Sequence, residues 1–335
     1  MPASFLSIEA KEEIWPLKQP FRISRGSRSE ARVVIVAVSD GKQIGRGEGI
    51  ALARYNQNTA SALAQIESIG DEKNLDRQTL QDRLPPGAAR NALDCAFWDL
   101  EAKASGKRVW ELANIPIVPE VETSFTISLD TPEKMSAAAS AAACTRGFGV
   151  PRILKLKLDG DDLDLSRVQA VRETAPAARL LVDANESWSP PHYREIVPAL
   201  KELGVELIEQ PFPANADEIL ETLDHPIPVC ADESCHTTAD LPRLTNRYEV
   251  INVKLDKTGG LTEALRLCSR AGESGFKLLV GCMVCTSLAI APARLLASTV
   301  QWVDLDGPLL IAHDRPHGVA YQSGNIGMPS RELWG

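Results

Sequence analysis

The sequence predicts an α/β protein: a (β/α)8 barrel preceded by a separate α+β domain. Three observations predict it. From residue 118 onward, short apolar runs recur at near-constant spacing. Their marker residues Lys155, Asp183, Glu209, Asp232, Lys254, Gly281 and Asp304 stand 22 to 28 residues apart. The gaps between them hold helix-like segments such as "DLSRVQAVRETA", "PHYREIVPALKELG" and "LTEALRLCSRAGESG", and strands alternating with helices predict parallel βαβ units. Residues 1–117 follow another pattern, strands first and a helix after.

Taken in order, "FLSIEAKEEIWPL" and "ARVVIVAVSDGKQIGRGEGIAL" read as antiparallel strands with a turn at Asp40-Gly41. Between them "ISRGSRSEARVV" is polar and arginine-rich, which predicts a mobile loop reaching towards a site. "RNALDCAFWDLEAKASG" reads as an amphipathic helix ending at Gly106. The barrel runs then follow: "SFTISLD", "RILKLKLDG", "ARLLVDAN", "VELIEQP", "IPVCADES", "EVINVKLDK", "KLLVGCMVC" and "VQWVDLDG". After the eighth strand "HDRPHGVAYQSGNIGMPSRELWG" shows no good helix, so the last helix is expected to be missing or replaced.

The second barrel strand alternates leucine with lysine. Alternation puts Ile153, Lys155 and Lys157 on one face and Leu154, Leu156 and Leu158 on the other. Alone, that reads as a half-exposed strand. In a barrel one face packs on helices and the other points inward, so the leucines take the helix side and the lysines must point in. A buried lysine is costly unless paired.

Composition narrows the classes. The 335 residues are 44% apolar and 24% charged, with net charge −9 and pI about 5.2. No basic tract suggests nucleic acid. No apolar run reaches the roughly 18 residues of a membrane span, and the N-terminus lacks a signal-peptide pattern. Seven cysteines, odd in number and thinly spread, predict reduced thiols in a cytoplasm. A homo-oligomer stays open.

Barrel active sites lie at the C-terminal strand ends. This chain places Lys155, Lys157, Asp183, Glu209, Asp232, Lys254, Asp304 and Asp306 there. Three consecutive strands end in carboxylates, which repel unless a cation sits between them. Oxygen-only ligands favour a hard metal, Mg²⁺ above Mn²⁺. Lys157 on the second strand and Lys254 on the sixth are diametrically opposed, so a substrate carbon between them has an amine on each face. Nearby cations, Lys155 and the metal, are expected to lower a lysine's pKa so that it acts as a base. The metal would stabilise charge on a carboxylate whose α-proton leaves.

These residues resemble the enolase superfamily in its muconate-lactonizing subgroup, and within it the dipeptide epimerases. The motifs are "KLK" at 155–157, "DANESW" at 183–188, "EQPFP" at 209–213, "ADES" at 231–234, "VKLDKTGG" at 253–260 and "DLDGPL" at 304–309. The resemblance implies a modified (β/α)8, TIM-like (β/α)7β barrel over 118–312, an N-terminal α+β capping domain over 1–117, and a segment, 313–335, returning to the cap. It implies Mg²⁺ on Asp183, Glu209 and Asp232, Lys157 and Lys254 as the acid/base pair, and Lys155 beside the substrate carboxylate. Asp304 and Asp306 would bind the α-ammonium of a dipeptide, and Thr126 would contact it. Arg25, rather than Arg28, would meet a glutamate side chain. The implied reaction inverts the α-carbon of the C-terminal residue, as in the metabolism of murein peptides.

One departure is "GCMVCTS", where many relatives carry a glutamate. The Cys282-x-x-Cys285 spacing raises zinc or redox chemistry. With no second pair, a neutral pocket wall at Cys285, with Ser287, is the preferred reading. The rival reactions on the same template are N-acylamino acid racemisation, o-succinylbenzoate synthesis, cycloisomerisation and sugar-acid dehydration. A non-catalytic barrel would have lost a lysine or a ligand, and none is missing. A metal-dependent hydrolase would want histidine at a strand end, where only His236 comes near.

Overall fold

The computed structural model describes residues 6–70, 74–142 and 149–335. Phe5, which opens the first predicted strand, and Cys144 lie outside them. The first sheet is an antiparallel ladder of β1 (Ser7–Ile23), β2 (Gly26–Ser39) and β3 (Ile44–Gly49). The predicted turn forms at Asp40, whose carboxylate accepts from Lys42 and Gln43 N–H. The predicted arginine-rich loop is instead the tip of the β1–β2 ribbon. Ile23 pairs with Gly26 and Phe21 with Arg28, so only Ser24 and Arg25 lie outside the strands. Gly26 permits this tight tip, at φ 139°.

β3 carries Gly45, Gly47 and Gly49 on one face, packed on the helix Ala88–Ser105. A Cβ on these glycines would lie 2.0, 2.0 and 2.2 Å from the carbonyl oxygens of Ala96, Ala92 and Ala88. Two strand residues advance about 6.6 Å and four helix residues about 6 Å, so the steps match. Gly47→Val should cost more than about 3 kcal/mol, at the upper end of overpacking penalties. Gly272→Ala, with open space around it in the helix Leu261–Glu273, should stabilise by about 0.4–1 kcal/mol. Urea unfolding of both variants checks the pair.

A two-residue strand, β4 (Val121–Glu122), precedes the barrel. The barrel sheet follows as β5 (Phe125–Ile127), β6 (Ile153–Lys157), β7 (Arg179–Asp183), β8 (Val205–Glu209), β9 (Val229–Ala231), β10 (Val250–Val253), β11 (Lys277–Gly281) and β12 (Trp302–Asp304). All eight run parallel in sequence order, and the Ser124 N–H donating to the Val303 carbonyl at 2.9 Å joins the last to the first. The predicted fold class therefore holds. Leu154, Leu156 and Leu158 pack outward among the helices. Ile153, Leu181, Leu207, Cys230, Val250, Leu279 and Trp302 close the barrel floor in a separate apolar cluster. That floor leaves the inward polar residues at the other end.

The helix-like gaps form as Asp164–Thr174, Pro190–Glu202 and Leu261–Glu273. Two gaps differ from expectation. After β8 and β9 only short helical pieces form, the 3-10 helix Asp217–Thr222 and the turns Thr238–Asp240 and Leu241–Leu244. Prolines 211, 213, 226, 228 and 242 fill these short connections and withhold the N–H groups that a longer helix needs. After β12 a single turn, Gly307–Leu310, replaces the last helix. The chain then makes β13 (Tyr321–Gln322) and β14 (Asn325–Ile326), and β14 pairs with β4.

Candidate active site

The polar strand ends converge on one cavity of about 380 Å³. It is lined from the barrel by Thr126, Lys155, Lys157, Asn185, Asp232, Lys254, Asp304 and Asp306. The ribbon tip contributes Arg25 and Arg28, and the loop after β3 contributes Arg54 and Tyr55. Burial shows that the lysines point inward: Lys155, Lys157 and Lys254 are 1%, 7% and 6% exposed.

Each lysine sits on carboxylates. Lys157 Nζ lies 2.5 Å from Asp183 Oδ2, and Lys254 Nζ 2.7 Å from Asp232 Oδ2. Lys155 Nζ reaches Glu209 at 2.6 Å, Asp304 at 2.8 Å and Asp183 at 3.3 Å. The register explains the grouping, since Thr126 pairs with Lys155, Lys157 with Asp183, and Asp183 with Glu209. Gly281 leaves room for the Lys254 chain, because a Cβ there would lie 2.9 Å from Lys254 Cε.

Electrostatics follow from these contacts. Burial alone would raise Asp183, but Lys157 and Lys155 hold its carboxyl well below the usual range. Asp232 is likewise held low against burial by Lys254 and Lys257. Glu209 is pushed up, by burial and then by Asp183 beside it. For Lys254 the expected lowering is reversed. Burial lowers it, yet Asp232 and Glu209 outweigh burial and hold it above its ordinary value. The carboxylates take the lysines as their counter-ions.

The donor set suits a hard cation. Asp183, Glu209 and Asp232 offer only oxygen, from three adjacent strand ends: Asp183 stands level with Glu209, and Asp232 lies two residues past Cys230, the partner of Glu209. Beside them the buried Asn185 Oδ1 and Glu233 Oε2 have no hydrogen-bond partner among the described residues. Among the described residues no three such side chains close round one point, because the ammonium groups draw Asp183 and Asp232 aside.

At the far side of the cavity Asp304 accepts from Ser124 Oγ and pairs with Lys155. Asp306 accepts from the Thr126 N–H at 2.6 Å. Burial and the neighbouring Asp304 push Asp306 up to about 7. Arg25 is fully committed: to the Asn185 carbonyl at 2.7 Å, Glu186 at 3.1 Å and Glu233 at 2.7 Å. Arg28 faces the same cavity, and no carboxylate pairs with it among the described residues. Cys285 is fully buried behind the wall, where Cys282, Met283 and Val284 face the cavity instead.

Several residues that complete the site were not singled out in the sequence. Lys257, 1% exposed, pairs with Asp232 Oδ1 at 2.7 Å and donates to the backbone carbonyls of Asp232 and Asn252. Gln210 holds the loop after β9 by accepting from Asp232 and Ser234 N–H. Asn252 donates to Glu209 Oε1 at 2.8 Å. Only Asn252 carried a usable signal: it stands two residues before Lys254 and so shares its face.

The profile of the mandelate racemase / muconate lactonizing enzyme N-terminal domain matches residues 6–113, and that of the enolase C-terminal domain-like family matches residues 134–330. The chain belongs to the mandelate racemase / muconate lactonizing enzyme family. Among family relatives, the L-Ala-D/L-Glu epimerase of Escherichia coli (strain K12) is 46% identical over 322 residues, covering 96% of this chain and 99% of that one. An N-acetyl-D-glutamate racemase of Pseudoalteromonas sp is 44% identical, covering 90% and 95%. The solved structure of an enolase family member from Agrobacterium tumefaciens, with homology to dipeptide epimerases, holds sodium and L-Ala-L-Glu with an ordered loop. It superimposes with TM-score 0.93 at 44% identity, covering 98% of this chain and 100% of that one. A dipeptide epimerase from Methylococcus capsulatus, complexed with Mg and L-Arg-D-Lys, matches with TM-score 0.89 at 30% identity, covering 97% and 98%.

Proposed function

We propose that the chain is an isomerase that epimerises dipeptides of the L-Ala-D/L-Glu type at the α-carbon of the C-terminal residue, by two-base 1,1-proton transfer. The observation that carries this reading is the placing of Lys157 and Lys254 on β6 and just past β10, four strands apart in an eight-strand barrel, with Asp304 and Asp306 in the same cavity. The names of the relatives agree with it. Asp183, Glu209 and Asp232 would hold Mg²⁺, with Mn²⁺ as second choice. When bound, the ion supplies positive charge to the substrate carboxylate as the α-proton leaves. Lys155 steadies that carboxylate. One of the two opposed lysines takes the proton and the other returns it on the opposite face.

Asp304 and Asp306 take the free α-ammonium, and Thr126 fixes Asp306. Arg28 is a better partner for the glutamate side chain than Arg25, whose guanidinium is already spent on Glu233 and Glu186. Cys285 supports the wall from behind. Residues 1–117 serve as the cap and 118–312 as the catalytic barrel. The segment 313–335 returns to the cap, a reading supported by Arg46 donating to the Glu332 and Leu333 carbonyls and by Trp334 Nε1 donating to the Cys95 carbonyl. Such an activity belongs to the recycling of cell-wall peptides in the cytoplasm; among the described residues no helix is long and apolar enough to cross a membrane.

The racemase relative gives N-acylamino acid racemisation a specific claim as second reading. The test compares L-Ala-L-Glu with N-acetyl-L-Ala-L-Glu. A charge-assisted hydrogen bond from the ammonium to Asp306 is worth roughly 1.5–3 kcal/mol. Asp306→Asn should therefore lower kcat/KM for the free dipeptide by about ten-fold or more, and the acetylated compound should be a far poorer substrate of the unaltered enzyme. Arg28→Met should raise KM for the glutamate dipeptide and leave L-Ala-L-Met little changed. Equal turnover of the acetylated compound would move the assignment to N-acyl substrates.

A further inference from the structure

The motif at 183–188 carries a second carboxylate that the proposed chemistry does not use. Glu186 stands three residues after Asp183, on the loop that follows β7. Its side chain is 8% exposed. Arg54 donates to Oε1 and to Oε2 at 2.6 Å each, Arg25 Nη1 to Oε2 at 3.1 Å, and the Ala214 N–H to Oε1 at 2.9 Å. A carboxylate accepts about four hydrogen bonds, so this one is saturated and has nothing left for a metal, a proton or a substrate. Asn185 and Glu186 take φ 45° and 71°, the left-handed region that residues with side chains uncommonly adopt. The Glu186 N–H, donating to the Gln210 carbonyl at 2.8 Å, holds this turn. The turn presents the Asn185 carbonyl to Ser24 Oγ at 3.1 Å and to Arg25 Nη1 at 2.7 Å. Strain of this kind persists where the surroundings over-determine it, and it gathers at ligand clamps.

We propose that Glu186 is a positioning residue for the substrate's side chain, tying two loops of the cap to the barrel mouth through Arg54 and Arg25. Arg54 belongs to the loop after β3, where its neighbour Tyr55 lines the cavity. Arg25 belongs to the ribbon tip, where Arg28 lines the cavity. Bidentate pairing fixes a guanidinium in orientation as well as distance, so Glu186 sets where Tyr55 and Arg28 stand. Below the tip the ribbon has an anchor of its own. The Leu129 N–H donates to the Arg22 carbonyl at 3.0 Å, and the Arg22 N–H to Ser128 Oγ at 2.7 Å. Loss of Glu186 therefore loosens the tip and the Arg54 loop and leaves the ribbon base in place. Glu186 also keeps Arg25 and Arg54 from the substrate. Of the cavity-lining arginines Arg25, Arg28 and Arg54, only Arg28 lacks a carboxylate partner among the described residues. The pocket thereby offers one free positive charge, matched to one side-chain carboxylate. Naming that carboxylate as glutamate's rests on the epimerase reading; the tie between cap and barrel does not.

Glu186→Gln keeps the length of the side chain and an acceptor for the Ala214 N–H, so the fold should hold. The first arm of the test is hydrogen exchange, read by mass spectrometry on the full chain without substrate. Peptides over 23–28 and 52–57 should exchange at least about three-fold faster in the variant, as local opening becomes easier, while the rest of the chain is unchanged. Unaltered exchange in either stretch would overturn the tie. The second arm measures epimerisation. Glu186 touches neither substrate nor the reacting atoms, so its loss removes binding that ground and transition states share. KM for L-Ala-L-Glu should rise at least about five-fold, the scale of a partly exposed, multiply bonded ion pair, with kcat within about two-fold. Arg54→Met should raise KM too, and adding it to Glu186→Gln should raise KM no further, since both act through one contact. A fall in kcat with KM unchanged would overturn the positioning role, and independent effects of the two substitutions would overturn the pairing. If exchange quickens but the unaltered chain does not turn over L-Ala-L-Glu, the epimerase reading has failed and the tie between cap and barrel stands.

Discussion

Lys157→Ala and Lys254→Ala will each stop epimerisation in both directions, lowering kcat by about 10³-fold, within the range of a lost general acid or base. The structure says why the fold should survive either change. Without Lys157, Asp183 keeps Lys155 at 3.3 Å; without Lys254, Asp232 keeps Lys257 at 2.7 Å. No carboxylate is left buried and alone, the case in which removal costs several kcal/mol. Thermal melting should therefore shift far less than activity. The two variants differ in isotope exchange. Each retains one base, so each should wash solvent deuterium into the substrate epimer whose α-proton faces that base. If both variants epimerise at the normal rate, the two opposed lysines are not the acid and base.

Asp183→Asn carries the second large effect. Asp183 is fully buried and its carboxylate touches both Lys155 and Lys157. The amide cannot supply the charge that a hard divalent cation needs. Mg²⁺ affinity measured by titration calorimetry should fall beyond the 10–100-fold typical of outer-shell changes, and turnover should fall below detection. Lys155 retains Glu209 and Asp304, so the circular dichroism spectrum should match the unaltered protein. Unchanged Mg²⁺ affinity in the variant, or full activity of the unaltered chain after exhaustive chelation, would contradict the assignment.

The barrel was legible because its inward residues are costly to bury and therefore mark phase. Lys155 and Lys157 alternating with leucines fixed one strand's faces, and carboxylates at matching phase fixed its neighbours. The helix over Ala88–Ser105 was legible from its apolar face and from Gly106, which adopts φ 72° at its end. Other features depend on contacts distant in sequence. Nothing in "ISRGSRSEARVV" says that Arg25 will be consumed by Glu186 and Glu233, residues some 160 and 208 positions away. Lys257 stands three residues after Lys254 in a motif that reads as a helix start, where a lysine is ordinarily solvated. Its burial against Asp232 follows from how the loops after β9 and β10 meet. Cys285 was placed on the cavity because the loop after β11 lies at the mouth; the bend at Val284 sends Cys282 there instead.

The central claim is that the chain removes and returns the α-proton of a dipeptide's C-terminal residue. Proton NMR of L-Ala-L-Glu in D₂O with the enzyme and Mg²⁺ tests it most directly. The glutamate α-proton signal should vanish as L-Ala-D-Glu appears, with deuterium at that carbon, while the alanine α-proton persists. Exchange at alanine, or none at the glutamate α-carbon, would contradict the account.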